Sequence, residues 1–350
     1  MHLHVMGLAC FLLFGKAGAQ TMPLPAGIPL TTATVSAVVE YNAKENLFTY
    51  SYSVTNSIRS IGKIEGFYVD IATASGGASL PSGGLINTAT GYFENSAPDL
   101  ATQINSATLP VAFLSQPGGW LSGPTAQMTA GWFGPLSPGS PVGPGQTQDG
   151  FVIASPGLVG LRRFVANPAY LADKYIPGGI DDPPDGMTAE QVVDLDNEIQ
   201  RVIRSQGYTV GPVQPPSLTD VRQLIAFVAA LKHQAASLQW ICGRKFVDEL
   251  DEALDRAGAA YVKGRYGQAR GELRSFVSRL EERRHRRREE SDRENSRLRE
   301  QEDADKCADG DEPRVSDQAY FMLKADVEYT LSKLPEPKDG DDPDHEKHLR

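Results

Sequence analysis

Polar and apolar residues alternate along the first half of the chain. A period of two predicts strands with one buried face. It runs through Phe48, Tyr50, Tyr52 and Val54, and again through Phe67, Val69 and Ile71. Shorter apolar runs at 109–114, 127–133 and 151–154 are separated by turns rich in Gly, Pro and Ser. This spacing predicts that residues 31–175 form an antiparallel β-sandwich.

From Ser217 onward the apolar residues are spaced three and four apart, which predicts amphipathic helices. Ser217 followed by Asp220 predicts a helix start, as does Ser316, and Gly264 predicts a helix end. The four apolar stripes are Val221, Leu224, Ile225, Val228 and Leu231; Phe246, Leu250, Ala253, Leu254, Ala257 and Tyr261; Ala269, Leu273, Phe276, Val277 and Leu280; and Ala319, Leu323, Val327, Thr330 and Leu334. Four such helices bury their stripes best against one another, so residues 217–334 are predicted to form a helical bundle.

Linkers are predicted around these two parts. Residues 20–30 form an N-terminal linker, and residues 335–350 a disordered charged tail. Residues 176–216 are rich in Pro, Gly and Asp, which is typical of a connector. Within that connector, Thr188 and Gln191 form a capping box that predicts one short amphipathic helix. The predicted fold class is therefore multidomain α+β, with an N-terminal sandwich followed by a C-terminal helical bundle.

The N-terminus resembles an export signal. The apolar run from Val5 to Phe14 is too short to span a bilayer as a helix. Small residues follow it, which predicts a signal peptide over 1–19 and cleavage between Ala19 and Gln20. The alternative is a buried N-terminal strand. Export predicts a secreted, periplasmic or cell-surface protein without a transmembrane segment in the mature chain.

The net charge restricts the classes of partner, and the cysteine content indicates a disulfide. The net charge of −10 argues against nucleic-acid binding, which needs a basic surface. Signal removal leaves Cys242 and Cys307, and an even pair in an exported chain favours a disulfide. Closing that loop would contribute ~4 kcal/mol. Two independent thiols are the alternative, and two cysteines without neighbouring histidines make a poor zinc site.

A charged insertion at 281–305 separates the third and fourth predicted helices. Three explanations are open for it: an extension of the third helix into solvent, a disordered segment, or a patch that contacts an anionic polymer. The arginines of that patch are Arg283, Arg284, Arg286, Arg287 and Arg288. Acidic residues flank and offset them, which favours the first two explanations.

Two tryptophans in Gly-rich surroundings are candidate ligand-binding residues. Trp120 follows two glycines, and Trp132 lies between Gly131 and Phe133-Gly134. Exposed indole rings would form a platform on which a sugar ring stacks. The alternative is that both rings pack in the core.

The sequence contains no recognisable catalytic constellation. After signal removal the histidines are His233, His285, His345 and His348. None lies within 31–175, which excludes a Ser-His-Asp triad there. Paired carboxylates of the glycosidase kind remain open, although the spacing favours no two of them; the candidates are Glu40, Glu45, Glu65, Asp70, Glu94, Asp99 and Asp149. No enzyme, cofactor or metal is predicted.

The helical part also resembles a known family. Its motifs are Leu231–Ile241 (LKHQAASLQWI), Leu250–Ala257 (LDEALDRA), Gly264–Val277 (GRYGQARGELRSFV) and Ser316–Leu334 (SDQAYFMLKADVEYTLSKL). They are similar to the FIMAH domain, a helical module near the C-termini of secreted and surface bacterial proteins. Gly267, Gly271 and the charged insertion depart from that family. The runs YSYSVTN and GFVIASPGLVGL look loosely like the immunoglobulin-like sandwich domains of exported bacterial proteins.

The resemblance implies a binding or interaction module without chemistry of its own. The function predicted is a non-enzymatic binding or adhesion protein of the cell surface or extracellular matrix, with a glycan as one ligand class. A structural or assembly protein that acts through the helical module is the first alternative. A carboxylate-dependent hydrolase is the second. The partner classes are polysaccharide and cell-envelope protein.

Overall fold

A computed structural model of the chain describes residues 24–72, 109–125, 128–134, 141–168, 172–176, 186–213, 220–294 and 313–336, leaving aside the side chains of 172–173 and 285–294. The fold is mixed α/β with antiparallel sheets. The strands are β1 (Ala33–Asn42), β2 (Leu47–Asn56), β3 (Ile64–Asp70), β4 (Ala112–Ser115), β5 (Leu121–Pro124), β6 (Thr129–Phe133), β7 (Thr147–Ser155), β8 (Leu158–Pro168), β9 (Ser205–Val213), β10 (Ile241–Cys242) and β11 (Arg314–Val315). The helices are α1 (Ala172–Tyr175), α2 (Ala189–Ile203), α3 (Val221–Ser237), α4 (Arg244–Val262), α5 (Tyr266–Glu294) and α6 (Asp317–Lys333).

The strands form two larger antiparallel sheets and one small ribbon. The strand order is β1-β2-β7-β4 in the first sheet and β5-β6-β3-β8-β9 in the second, and β10 pairs with β11. The predicted alternation on β2 is confirmed, because its buried positions are Phe48, Tyr50, Tyr52 and Val54. On β3 the predicted burial of Phe67 and Val69 is confirmed, but Asp70, which the pattern placed on the polar face, is buried as well. These alternating rows supply the apolar core of both sheets.

Strand β9 corrects the linker predicted at 176–216. It pairs with β8 along its whole length, from Leu158 opposite Val213 to Ala166 opposite Ser205. Its two glycines, Gly207 and Gly211, are sites of close packing. A Cβ at Gly207 would lie 2.8 Å from the Phe164 ring, too close for any larger residue.

The predicted apolar stripes are confirmed, and so are the helix ends predicted at Thr188, Ser316 and Gly264. The start predicted at Ser217 is not confirmed, because α3 begins at Val221 with Asp220 as its N-cap. The predicted apolar residues of α3 and α4 are buried, apart from a half-buried Tyr261. Asp220 caps α3 and Ser316 caps α6, while Thr188 and Gln191 form the capping box of α2. Ser217 lies outside the described residues. The charged insertion begins as the helical extension that was one of its three explanations, because α5 continues to Glu294.

Helix α6 joins the helices to the sheets. Its Gln318 Nε2 donates a hydrogen bond to the backbone oxygen of Val35 on β1 (2.7 Å). Its Tyr329 ring contacts Tyr41 and Phe48, with centroid distances of 5.4 and 5.7 Å. One continuous hydrophobic cluster contains residues of both sheets and of α3 to α6. The layout is therefore not clearly a sandwich followed by a separate bundle, because the two predicted domains share a core.

The two sheets also meet along β1 and β9. The Ala33 N–H donates to the Ser205 hydroxyl (2.8 Å), and the Thr31 hydroxyl donates to the Ile203 oxygen (2.7 Å). Helix α2 packs nearby in a second, smaller apolar cluster that includes Ile28. Within the ranges given above, no helix is both long and apolar enough to cross a membrane.

Candidate functional site

Trp120 and Trp132, the sugar platform suggested by the sequence, are core residues. Only 2% and 0% of their surfaces are exposed. The Trp132 ring is stacked on Phe67 with centroids 5.2 Å apart, and Trp120 lies edge-on to Phe151 at 5.1 Å. A stacking platform needs an open ring face. Neither indole has one, so the alternative explanation, core packing, is correct.

Arg284, one of the arginines proposed to contact an anionic polymer, is a buried structural residue. It is 8% exposed, and its Nε lies 2.6 Å from Asp317 Oδ1 on α6. Its guanidinium carbon is 4.5 Å from the ring centroids of both Tyr320 and Phe321. These contacts fix α5 against α6 through an ion pair and two cation–π contacts. The anionic-polymer hypothesis is therefore corrected at this position.

The remaining arginines of the patch divide into two groups. Arg283 is half-buried, and its guanidinium carbon lies 5.7 Å from the Phe246 ring centroid on α4. The side chains of Arg286, Arg287 and Arg288 lie outside the described residues. The polymer hypothesis stays a prediction for those three positions.

Asp70, one of the carboxylates considered for hydrolysis, belongs to a buried charged cluster. It lies 3.6 Å from Arg162, whose Nε donates to the Pro212 oxygen (2.6 Å) and whose Nη1 donates to the Ala72 oxygen (2.9 Å). Burial lowers the pKa of the Arg162 guanidinium, and the Asp70 carboxylate opposes that shift. The cluster ties β3 to β8 and β9. Glu94 lies outside the described residues, as does Asp99.

The structure describes Cys242, one of the two cysteines of the predicted disulfide. Cys242 is buried in β10 and pairs in register with Arg314 of β11. Its Sγ lies 3.6 Å from the backbone oxygen of Gln239. Cys307 lies outside the described residues, as does the signal cleavage site at Ala19 and Gln20. Both remain predictions.

An open cleft lies where three helix ends meet. The N-terminus of α3, the C-terminus of α4 and the N-terminus of α5 border a volume of about 430 Å³. The residues that line it are Asp220, Arg222, Tyr261, Val262 and Tyr266. This volume matches that of small-ligand sites, about 300–1,000 Å³, but the cleft is largely open to solvent.

A tight turn places both tyrosines in the cleft. Helix α4 ends in a Schellman motif, with the Gly264 N–H on the Tyr261 oxygen (2.9 Å) and the Arg265 N–H on the Ala260 oxygen (2.9 Å). Gly264 takes the positive φ of +72° that this ending requires. The turn leaves the Tyr261 and Tyr266 rings 5.7 Å apart, tilted by 50° and half-buried.

A charged pair forms the polar side of the cleft. Asp220 caps α3, and its carboxylate accepts from the Arg222 backbone N–H (3.0 Å) and from Arg222 Nη2 (3.1 Å). These hydrogen bonds lower the pKa of the Asp220 carboxyl. The Arg222 side chain is 61% exposed, so part of its guanidinium faces solvent. The cleft thus offers aromatic faces beside a fixed acceptor and a donor.

The chain matches no protein-family model, and no curated protein matches it either. The similarity to the FIMAH domain therefore rests on the sequence motifs alone. Sequence reasoning assigned Tyr261 to an apolar stripe and did not single out Tyr266. The signal that could have found the cleft is the pair of tyrosines on either side of the helix-ending Gly264.

Proposed function

We propose that this chain is a non-enzymatic exported binding protein that holds a glycan segment in the cleft between α3, α4 and α5. The observation that supports the proposal most is the pair of half-buried tyrosine rings, 5.7 Å apart, beside an ion pair. Tyrosine faces pack against the apolar side of a sugar ring. Arg222 and Asp220 supply the donor and the acceptor that sugar hydroxyls need.

Binding without hydrolysis follows from the charge content of the cleft. Among its described lining residues, Asp220 is the carboxylate, and it is engaged by Arg222. Glycoside hydrolysis requires a pair of carboxyl groups about 5–10 Å apart on either side of the bond. A single carboxylate that is hydrogen-bonded to Arg222 supports binding of a sugar rather than its hydrolysis.

The proposal includes the domain types, the signal peptide and the disulfide that the sequence predicts. The two sheets form an immunoglobulin-like sandwich, and α3 to α6 form a FIMAH-like module fused to it through a shared core. A signal peptide at 1–19 directs export, and a disulfide joins Cys242 to Cys307. The pairing of Cys242 with Arg314 supports the disulfide, since Cys307 lies seven positions before Arg314 in the sequence.

Assembly through protein contacts is the second candidate function. Val262 lies between the two tyrosines in the sequence and on the same cleft, and 64% of its surface is exposed. Beside it lie two tyrosines and Arg222, which are residue types enriched among the anchors of protein interfaces. Both candidates place binding at the same cleft, so one experiment separates them.

The experiment measures sedimentation of the whole mature chain with insoluble polysaccharides and with envelope fractions. Replacing Tyr266 by Ala should weaken glycan retention about tenfold, which corresponds to ~1.4 kcal/mol. Arg222→Ala should also weaken it. Tyr208→Ala, at a half-buried tyrosine on β9, is the matched control and should bind as the parent does. Retention by envelope protein alone supports assembly, and glycan retention that both cleft variants keep refutes the glycan site.

A further inference from the structure

The turn between β2 and β3 exposes apolar side chains that the cleft does not use. Ile58 is 73% exposed and Ile61 is 61% exposed. Leu30, whose backbone oxygen accepts from the Ile61 N–H (2.8 Å), is 38% exposed beside them. We call this surface, with Arg59 and Lys63, the isoleucine turn.

Hydrogen bonds hold the isoleucine turn in place. The Ser60 N–H donates to the Ser57 oxygen (3.0 Å), which closes a β-turn around Ile58. The Ser60 hydroxyl accepts from the Thr32 N–H (2.8 Å) and anchors the turn to the segment before β1. The exposed side chains are therefore presented by an ordered backbone.

Two further contacts lock the far end of the turn. The Asn56 side chain is buried and donates from Nδ2 to the oxygens of Gly62 and Val142, both at 2.9 Å. A Cβ at Gly62 would lie 2.7 Å from the Pro29 oxygen, so no larger residue fits without a shift of the backbone. Asn56 and Gly62 thus fix the backbone on either side of Ile58 and Ile61.

The turn itself carries charge of the opposite sign to that of the whole protein. Arg59 and Lys63 are both exposed, and no acidic residue occurs between Glu45 and Glu65. The segments bonded to the turn, 24–34 and 142–146, contain no acidic residue either. On a chain of net charge −10, a turn with two cations and exposed isoleucines is complementary to a surface that is anionic and has an apolar layer.

We propose that the isoleucine turn docks on an anionic lipid surface. Ile58 and Ile61 would enter the boundary between headgroups and acyl chains, and Arg59 and Lys63 would lie against the lipid phosphates. The same composition is what amphipathic membrane-surface segments use, with apolar and basic residues side by side. A neutral apolar partner would leave both cations unmatched.

Vesicle sedimentation tests the lipid surface with the whole mature chain. The chain should sediment with vesicles of phosphatidylcholine mixed with phosphatidylglycerol and less with phosphatidylcholine alone. Removing both cations by Arg59→Ala and Lys63→Ala should weaken binding about 25-fold, since each basic residue near an anionic surface contributes about fivefold. Ile58→Ser with Ile61→Ser should weaken it by more than about tenfold.

Two controls separate the turn from other surfaces. Val262→Ser removes an equally exposed aliphatic residue outside the turn and should leave sedimentation unchanged. Tyr266→Ala should also leave sedimentation with vesicles unchanged, so that the lipid surface and the glycan cleft are tested independently. Circular dichroism checks that each variant is folded.

Three results would overturn the lipid surface. They are equal sedimentation with both kinds of vesicle, full binding by the Ile58→Ser and Ile61→Ser variant, and no sedimentation at all. Equilibrium ultracentrifugation covers the other occupant, a second copy of this chain. A dimer that the two isoleucine substitutions abolish, without vesicle binding, would assign the turn to self-association.

Discussion

Replacing Asp326 by Asn should stabilise the protein at neutral and alkaline pH and change its stability little near pH 4. Asp326 lies on α6 and is 2% exposed, and its Oδ1 accepts from the Val159 N–H on β8 (3.1 Å). Burial raises the pKa of this carboxyl well above its usual range, and the hydrogen bond from Val159 opposes the shift only in part. The folded state therefore favours the neutral acid.

The sign of the pH dependence follows from that direction. In the unfolded chain an aspartic acid titrates at about 3.9. Below that pH the neutral group is fully compatible with the core. As pH rises toward the folded pKa, the unfolded state loses its proton first, and each pH unit in that interval costs ~1.4 kcal/mol of stability. Asn keeps an acceptor for Val159 and has no such slope.

Urea unfolding of the parent and of Asp326→Asn at a series of pH values measures the effect. The two free energies of unfolding should agree near pH 4 and separate as pH rises, with the variant more stable by more than ~1 kcal/mol above neutrality. Glu328→Gln, a half-exposed carboxylate on the same helix, controls for the loss of one charge. Parallel curves for parent and Asp326→Asn would refute a neutral Asp326 in the folded protein.

Three further predictions test the core and the covalent link. Trp132→Ala should destabilise the fold by ~3–5 kcal/mol, because it empties a fully buried indole site; an unchanged melting temperature would contradict the burial. Arg284→Ala should cost about 1–3 kcal/mol, because it removes a buried ion-paired guanidinium and its contacts with the Tyr320 and Phe321 rings, and Arg284→Lys should cost less; a double-mutant cycle with Asp317→Asn isolates the pair. Reduction of the mature chain should lower stability by ~4 kcal/mol if Cys242 and Cys307 are joined; equal stability of Cys307→Ser and parent under oxidising conditions would exclude the disulfide.

Features encoded by neighbouring residues were accessible from the sequence. The alternation on β2 and the helical stripes of α3 and α4 depend on residues two to four apart, and the structure confirms them. Caps are equally local, which is why Thr188 with Gln191 and the single Gly264 marked helix ends correctly. The position of the two half-buried tyrosines of the cleft follows from one such cap.

Features that depend on distant partners were not accessible. Arg162 is a fully buried arginine in a central strand, and its partners Asp70 and Pro212 are 92 and 50 positions away. Gly211 lies within the linker predicted at 176–216, but a Cβ there would lie 2.9 Å from the Arg162 side chain. The glycine is required by an arginine that no local pattern identifies. The burial of Trp120 and Trp132 likewise depends on strands far along the chain.

Helix α6 explains why the chain does not separate at the predicted boundary. A helix that served only a bundle would bury one stripe, but α6 buries two adjoining rows; the buried positions are Ala319, Tyr320, Met322, Leu323, Ala325, Asp326, Val327 and Thr330. One row faces the other helices, and the polar residues Gln318 and Asp326 bond to β1 and β8. A fragment ending before α6 would leave backbone groups at Val35 and Val159 without these partners and expose the apolar residues beneath the helix. A fragment without α6 would therefore have a disrupted surface, and its ligand binding would not reflect that of the intact protein. For this reason both binding tests require the whole mature chain.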